Sequence, residues 1–464
     1  MKTIMNSQTD SIQTQKSQPT ENPFSLPAPK GNFLLGNLID FAKDPLLFMT
    51  KCFEEYGEIV PLRLADKKAI LISKPEYIQQ ILRERDTFHR SNTLKSLYAL
   101  LGKGILTSEG ETWFRQRRLS QPIFHKKRIN NYGEVMVEYS EKMVANWEDG
   151  QILDIQTQMM RLSFDIVMKT IFNRDASEQQ AGDVAKAMNI SAKWLLAQIQ
   201  SLVPIPSQVP TPGNVRYLNS IKKLDKYIYQ IIGERRISNE DTGDLLSMMM
   251  QATDEDDGSQ MSDKQLRDEI ATLIFAGHET SANTLTWIWM LLSQNPEKQL
   301  KLHQELKQVL GDRSPQISDI PNLPYTNMVI KEAMRLYPVV WNVNAETSRE
   351  CKIGNYQVPA DCSIFVSQWV MHRSEKYFED AQSFKPERWE SDLEKQLPAG
   401  VYMPFGGGPR TCIGKNFALM EAVLLLTTIA QKFEINLVPN QSIIPAPTVT
   451  LQPKNGIKVS LKKR

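Results

Sequence analysis

One cysteine, Cys412, stands between a glycine-rich turn and a strongly apolar helical stretch, Asn416–Ala430, in the run Phe405-Gly406-Gly407-Gly408-Pro409-Arg410-Thr411-Cys412-Ile413-Gly414. Glycines permit positive φ and close backbone approach, so amide groups can point at the sulfur, and the N-terminus of the following helix favours negative charge. The expected chemistry is that of a readily ionised thiol acting as a metal ligand. Phe405 would keep water from the sulfur, Gly414 would let the helix lie against a flat ligand, and Arg410 would pair with a carboxylate on that ligand's edge. Taken alone, three glycines and a cysteine fit an ordinary turn before a buried thiol equally well.

A second polar group, Ala276-Gly277-His278-Glu279-Thr280-Ser281, is embedded in apolar turns led by Leu273, Ile274 and Phe275. Thr280 can hydrogen-bond back to the carbonyl one turn earlier, and Gly277 beside it lets the helix widen into a groove that admits oxygen and a water. A capped or solvated turn is the plain alternative. Glu332 and Arg335, three apart on one helix face, are in isolation a surface pair of small value. Trp113 and Arg117, at i and i+4, also share a face.

Together these motifs resemble those of the cytochrome P-450 family. Its heme-binding signature, Phe-x-x-Gly-x-Arg-x-Cys-x-Gly, is satisfied at Phe405, Gly408, Arg410, Cys412 and Gly414, and its oxygen-activation motif, Ala-Gly-x-Glu-Thr, at Ala276, Gly277, Glu279 and Thr280. The resemblance runs from about Pro23 to the C-terminus, with the motifs in the family's order. It implies a triangular, prism-like helical body with heme b between a long distal helix and a proximal cysteine loop. Cys412 would be the iron ligand, Ala276 would lie in the cofactor site, and Glu279 with Thr280 would relay protons. Trp113 and Arg117 would reach a heme propionate. Glu332 and Arg335 would form a buried lock with Arg388 of Phe384-Lys385-Pro386-Glu387-Arg388-Trp389. His278 is read as structural, since a ligand there would block the oxygen site. One departure is visible: many members carry an arginine for the other propionate on the strand after Leu336-Tyr337-Pro338, where this chain has Ala345.

The implied reaction inserts one oxygen atom from O2 into a hydrophobic substrate such as a fatty acid, terpenoid or related lipid. Electrons would come from a separate ferredoxin or flavodoxin with its reductase. A peroxide-driven or oxygen-independent heme-thiolate enzyme, or a non-catalytic heme sensor, stays open as an alternative.

The elements that must position these residues are mostly helical in pattern: Pro75–Arg83, Thr112–Gln121, Asn131–Glu148, Gln158–Phe172, Ser220–Ile237 and Asn295–Leu310. A capping box, Ser262 with Gln265, opens a helix predicted to run to about Ser293 through the Ala276–Ser281 group. Strands are expected at Glu58–Leu64 and Ala69–Ser73, then at Glu434–Val438 and Ile457–Leu461, near the two ends of the chain, and could share one sheet. The fold class is mainly α with small β-sheets. Ile205–Gly213 cannot be helical throughout, and Asp254–Gly258 reads as an acidic, solvated loop. Apolar stretches expected to face substrate are Ser91–Leu101, Trp194–Val203, Leu273–Ala276, Val339–Val343 and Pro445–Val449, with Tyr98, Trp194 and Trp341 as walls. The Trp194–Ile205 stretch is either a buried face or a patch for peripheral membrane contact.

Composition bounds the rest. Fifty-five Lys and Arg against 53 acids leave a net charge of +2, which asks for no nucleic acid partner. Arg115, Arg118, Lys126, Lys127 and Arg128 form either a solvated face or a docking patch for an acidic electron donor. Cys52, Cys351, Cys362 and Cys412 show no paired spacing, which disfavours a disulfide framework and fits a reducing compartment. Met1–Glu21 is polar with no apolar run, so a disordered tail is expected over 1–22 and a cytoplasmic, monomeric protein is predicted. Residues 23–464 are expected to form one domain, since the fifty or so residues after Cys412 are too few for a fused reductase.

Overall fold

The computed structural model describes residues 21–464 apart from 92–93, 95–96, 126–128, 176–177, 201–204 and 239. Up to residue 20 the polar tail lies outside the described residues. So do Lys126, Lys127 and Arg128 of the basic cluster and parts of the stretches 91–101 and 194–203.

In chain order, the helices of seven or more described residues are α1 (Pro45–Tyr56), α2 (Pro75–Arg83), α3 (Gly110–Ser120), α4 (Gly133–Val144), α5 (Ile155–Phe172) and α6 (Glu178–Gln200). They continue with α7 (Pro212–Ser238), α8 (Leu245–Gln251), α9 (Asp263–Gln294), α10 (Pro296–Leu310), α11 (Pro324–Leu336) and α12 (Lys415–Lys432). The mainly α architecture with small sheets is as expected.

The terminal strands, however, do not share a sheet. β1 (Ile59–Leu64) and β2 (Lys67–Ile72) join β3 (Phe88–Arg90), β5 (Val343–Thr347) and β8 (Ser363–Val366) in a five-stranded sheet ordered β1-β2-β8-β5-β3. β9 (Phe433–Leu437) and β12 (Lys458–Lys463) instead flank one another beside β4 (Ile152–Asp154). The N-terminal strands find their partners in the segment after α11, because β2 pairs in parallel with β8 and so satisfies the edge that a two-stranded hairpin would leave open. Two hairpins complete the β part: β6 (Cys351–Ile353) with β7 (Tyr356–Val358), and β10 (Pro445–Pro447) with β11 (Leu451–Pro453).

α9 is the central element. Ser262 accepts the Gln265 N–H at 3.3 Å and the Gln265 side chain accepts the Ser262 N–H at 2.9 Å, closing the capping box. Its 32 residues reach about 48 Å at helical rise. Apolar residues occur all round it, the pattern of a helix buried on every side. Trp287 and Trp289 are fully buried in it, and Trp287 stacks on Tyr337 at 4.3 Å while donating to the Leu451 carbonyl. α6 was not apparent from spacing. Trp194 on it lies flat against Tyr217 of α7, 4.1 Å between centroids, and donates to Asn214 Oδ1 at 2.6 Å. Trp194 therefore belongs to the α6–α7 contact, while Ile205 remains exposed.

The acidic loop is also different from its sequence reading. Asp254 is buried and pairs with Arg115 at 3.0 Å and Arg118 at 2.7 Å, and Asp256 takes Arg118 as well. The loop thus neutralises part of the basic cluster, because two α3 arginines half-withdrawn from water need a counter-charge.

Two carboxyls of the core carry no cation. Glu421 of α12 bonds Ser281 of α9, with Ser163 of α5 beside it, and burial pushes its pKa up to about 8. Glu269 of α9 accepts the Ile105 N–H at 3.1 Å, and burial, with Asp268 adding to it, likewise pushes it to about 8. An acid with a raised folded pKa binds more protons folded than unfolded, so stability is fullest below its unfolded value, about 4.3, and declines as pH rises toward 8. Glu421→Gln should flatten this decline. Thermal midpoints compared between about pH 5 and pH 8.5 check it, and an unchanged slope contradicts the burial of a neutral Glu421.

Candidate active site

The segment leading to Cys412 is anchored by a fully buried charge cluster. Glu332 and Arg335, on the last turns of α11, are both inaccessible to solvent and joined by two hydrogen bonds at 2.8 and 2.9 Å. Glu332 also receives Arg388 Nε, the Trp389 indole and the Lys385 N–H, at 2.9, 2.9 and 3.0 Å. Arg335 spends its other hydrogens on the carbonyls of His372, Ala381 and Ser383. Each ion's desolvation is thereby offset by a full set of partners. His372, neutral because burial drives its pKa down to about 3, accepts the Met403 N–H through Nε2 and so carries the cluster into the cysteine loop.

That loop closes on itself. Cys412 N–H donates to the Phe405 carbonyl at 3.0 Å, and the Thr411 N–H and hydroxyl both reach the Gly408 carbonyl. Gly406 and Gly408 have φ of +71° and +64°, and a Cβ on Gly408 would sit 2.4 Å from the Leu82 carbonyl oxygen, so only glycine fits there. A Cβ on Gly414 would meet nothing nearer than Cys412 Sγ at 3.9 Å, a flat open cradle beside the sulfur. Lys415 sits over the half-buried Phe405 ring at 5.8 Å.

The sulfur does not ionise as readily as its sequence setting suggests. A Gly414 N–H bond and the charges of Arg117 and Lys415 favour the thiolate, but burial outweighs them and the Cys412 pKa stands above that of an ordinary thiol. The devices that stabilise the anion are visible in sequence; the burial that opposes them is not. Cys412 is nonetheless exposed. A side chain both enclosed and reachable faces an internal space.

Across α9 the same holds. Ala276 is exposed and Leu273, Gly277, Glu279 and Thr280 are half-exposed, although Ile274, Phe275, His278, Ser281 and Ala282 around them are buried. Thr280 donates to the Ala276 carbonyl at 2.6 Å, the one-turn back-bond its position predicts. Ser281 meets Glu421, nine residues beyond Cys412, so this turn of α9 lies against the helix that follows the sulfur. Buried His278, its pKa lowered to about 4, packs edge-on to Phe164 and is neutral, in keeping with a structural role. Burial raises the pKa of Glu279, while the Thr450 hydroxyl, which donates to it, pulls the other way. Asn283 donates to Thr450 at 3.3 Å, and Gln156 donates to Asn283 at 3.1 Å and to Gln452 at 3.4 Å. Neither Thr450 nor this chain of amides was apparent from sequence, since no local motif marks them.

A cationic edge borders the space. Trp113 is buried between two guanidinium groups, Arg410 at 4.5 Å and Arg85 at 5.0 Å from its ring centre. Arg410 pairs with Glu109 and donates twice to the Ser108 carbonyl, and burial together with Arg90 lowers its pKa to about 10. Arg117 donates to the Thr411 carbonyl at 2.9 Å, turning toward the cysteine loop. Arg90 is the residue that sequence did not supply. In the β3–β5 register it stands directly opposite Ala345, and paired residues of an antiparallel ladder project to one face. Burial lowers its pKa and Glu109 opposes that. Arg90 thus brings a cation to the strand pair at the position where β5 has only Ala345.

The loop that delivers Glu109 is itself pinned to α9. Asp268 accepts the Lys103 N–H at 2.9 Å, Glu269 accepts Ile105, and Gly102 and Gly104 have no room for a Cβ against Asp268 and Thr272.

A planar macrocycle with two carboxylates fits these residues: an enclosed sulfur, a cradle at Gly414, an accessible alanine on the facing helix, and arginines in excess over the single Glu109. The site is that of a heme-thiolate protein. The chain matches the Cytochrome P450 family over residues 26–461 and belongs to it. It is 33% identical to cyclooctatin synthase of Streptomyces melanosporofaciens, over 91% of this chain and 93% of that protein. It is 33% identical to cyclooctat-9-en-7-ol 5-monooxygenase of the same organism, over 92% and 94%, and 29% identical to pentalenene oxygenase of Streptomyces avermitilis, over 94% and 97%. It is accordingly a heme b monooxygenase. Among the described residues no helix is long and apolar enough to cross a membrane.

Removing the Glu332 charge leaves two arginines without their counter-ion, a loss of roughly 3–5 kcal/mol. Glu332→Gln should lower both the thermal midpoint and the heme absorbance per polypeptide. Arg90→Met should leave folding intact and hasten transfer of heme to an excess of apomyoglobin. A transfer rate equal to that of the unaltered protein would exclude Arg90 from the anionic edge.

Proposed function

We propose that this chain oxygenates a largely hydrocarbon substrate of terpenoid type at a C–H bond or double bond. Electrons come from a separate ferredoxin or flavodoxin with its reductase, in the cytoplasm. The observation that carries the oxygen-inserting chemistry is the accessible turn Ala276–Thr280, where an acid and an alcohol adjoin a buried polar network. The substrate class is supported by the relatives named for cyclooctatin, cyclooctat-9-en-7-ol and pentalenene, and by the apolar character of Leu273, Val339 and Trp341.

Bound heme supplies activation of O2, and a thiolate ligand favours O–O cleavage. The protein's part is to hold the sulfur, admit a dry substrate and meter protons. Cys412 serves as the iron ligand, the Gly414 N–H limits its basicity, and Phe405 screens it. Thr280, its hydroxyl hydrogen committed to the Ala276 carbonyl, offers its lone pairs to a proton-bearing group on the Ala276 side of α9. Glu279, inclined by burial to keep its proton, supplies it from one carboxyl oxygen while Thr450 fixes the other. Thr450 is here a positioning residue, steadied by Asn283 and Gln156.

Reconstitution with a ferredoxin and its reductase, against a panel of cyclic terpenes, terpene alcohols and fatty acids, tests the reading. Terpenoid product with O2-dependent stoichiometry is expected; turnover of fatty acids alone overturns the substrate class. Thr280→Ala should divert at least about tenfold more of the consumed electrons to hydrogen peroxide. Thr450→Val removes a hydrogen bond that holds the Glu279 pKa down, so the pH dependence of coupling should move to higher pH. Coupling that ignores both substitutions contradicts the relay.

A further inference from the structure

A polar cavity of about 560 Å³, sharing no lining residue with the site around Cys412, lies between the C-terminal end of α9, the first turn of α10, the end of α11 and the segment 373–385. Arg373 lines it. Its guanidinium makes no hydrogen bond or ion pair among the described residues; it rests on the Trp369 ring, 3.3 Å from the centroid, and Nη1 is sealed off without a partner. Tyr337 lies 5.4 Å away and eases the burial somewhat, while Arg335, another cation, adds to it. Other arginines withdrawn from solvent in this fold have their carboxylates: Arg335 and Arg388 share Glu332, Arg235 has Asp244, and Arg267 has Asp225 and Asp268. Burial without such a partner pulls the Arg373 pKa down to about 9.

The first turn of α10 opens on the same cavity. Asn295 does not cap that turn; its amide donates back to the Leu291 carbonyl at 2.8 Å. The Glu297 N–H is left for another acceptor at the positive end of a 15-residue helix. At the rim, Lys298 and Lys385 are held by Glu387 and Asp380, and Glu297 is the acid that lines the cavity.

We propose that this cavity binds a small oxyanion, a phosphate- or carboxylate-bearing molecule, with the Arg373 guanidinium on its oxygens and the Glu297 N–H of the first turn of α10 as a further donor. A planar guanidinium matches two oxygens of either group, and a helix N-terminus adds favourable potential. Occupancy would brace the 373–385 segment, whose Ala381 and Ser383 carbonyls receive Arg335.

Titration calorimetry and thermal melting of the heme-loaded protein with inorganic phosphate, and separately with acetate, at constant ionic strength test the proposal and distinguish the two headgroups. Saturable binding of either with a rise in thermal midpoint is expected. Arg373→Gln should weaken it by at least about tenfold, and Arg373→Lys, which keeps the charge without the fork, by less. Glu297→Gln, which removes the lining acid, should tighten it a few-fold and serves even where Arg373→Gln fails to fold. No saturable binding of either anion, equal affinity in Arg373→Gln, or unchanged affinity in Glu297→Gln overturns the site.

Discussion

Burying a sulfur raises the cost of charging it, and the architecture around Cys412 can be read as a response to that one constraint. A Gly414 N–H, the charges of Arg117 and Lys415 and a helix N-terminus all favour the thiolate, yet burial still holds the thiol's pKa above its usual value. A bound metal cation would supply the remainder, so that a sulfur resisting ionisation alone would ionise upon coordination.

The two walls of the site are joined by short covalent routes as well as by packing. Carboxyls of α9 hold the 102–105 loop; four residues on, Glu109 meets Arg410, and two further on stands the sulfur. Glu421 returns from the sulfur's helix to Ser281 on α9. The spacing between Ala276 and Cys412 is therefore fixed by polar ties on more than one side, with the Glu332 cluster as the foundation beneath the loop.

Local periodicity carried much of this. The α9 capping box, the Thr280 back-bond, the bounds of α2 and the residues of the Glu332 cluster were all legible, because each depends on neighbours within a turn or on a recognisable pattern. What escaped depends on long-range pairing. Arg90 meets Ala345, Thr450 meets Glu279 and Asp254 meets Arg115 across 139 residues or more. Hairpin-like runs near the chain ends suggested a shared sheet, but β2 found β8 instead. Burial, too, is invisible locally: it reversed the expectation for the Cys412 thiol and turned Asp254 from a solvated acid into a counter-ion.

The register that sets Arg90 against Ala345 has a consequence for descent. Two facing positions on adjacent strands address nearly the same volume, so a cation can pass from one strand to the other without moving in space. Such a migration needs two substitutions. Its halfway form carries either two crowded cations, which repel, or none at that place.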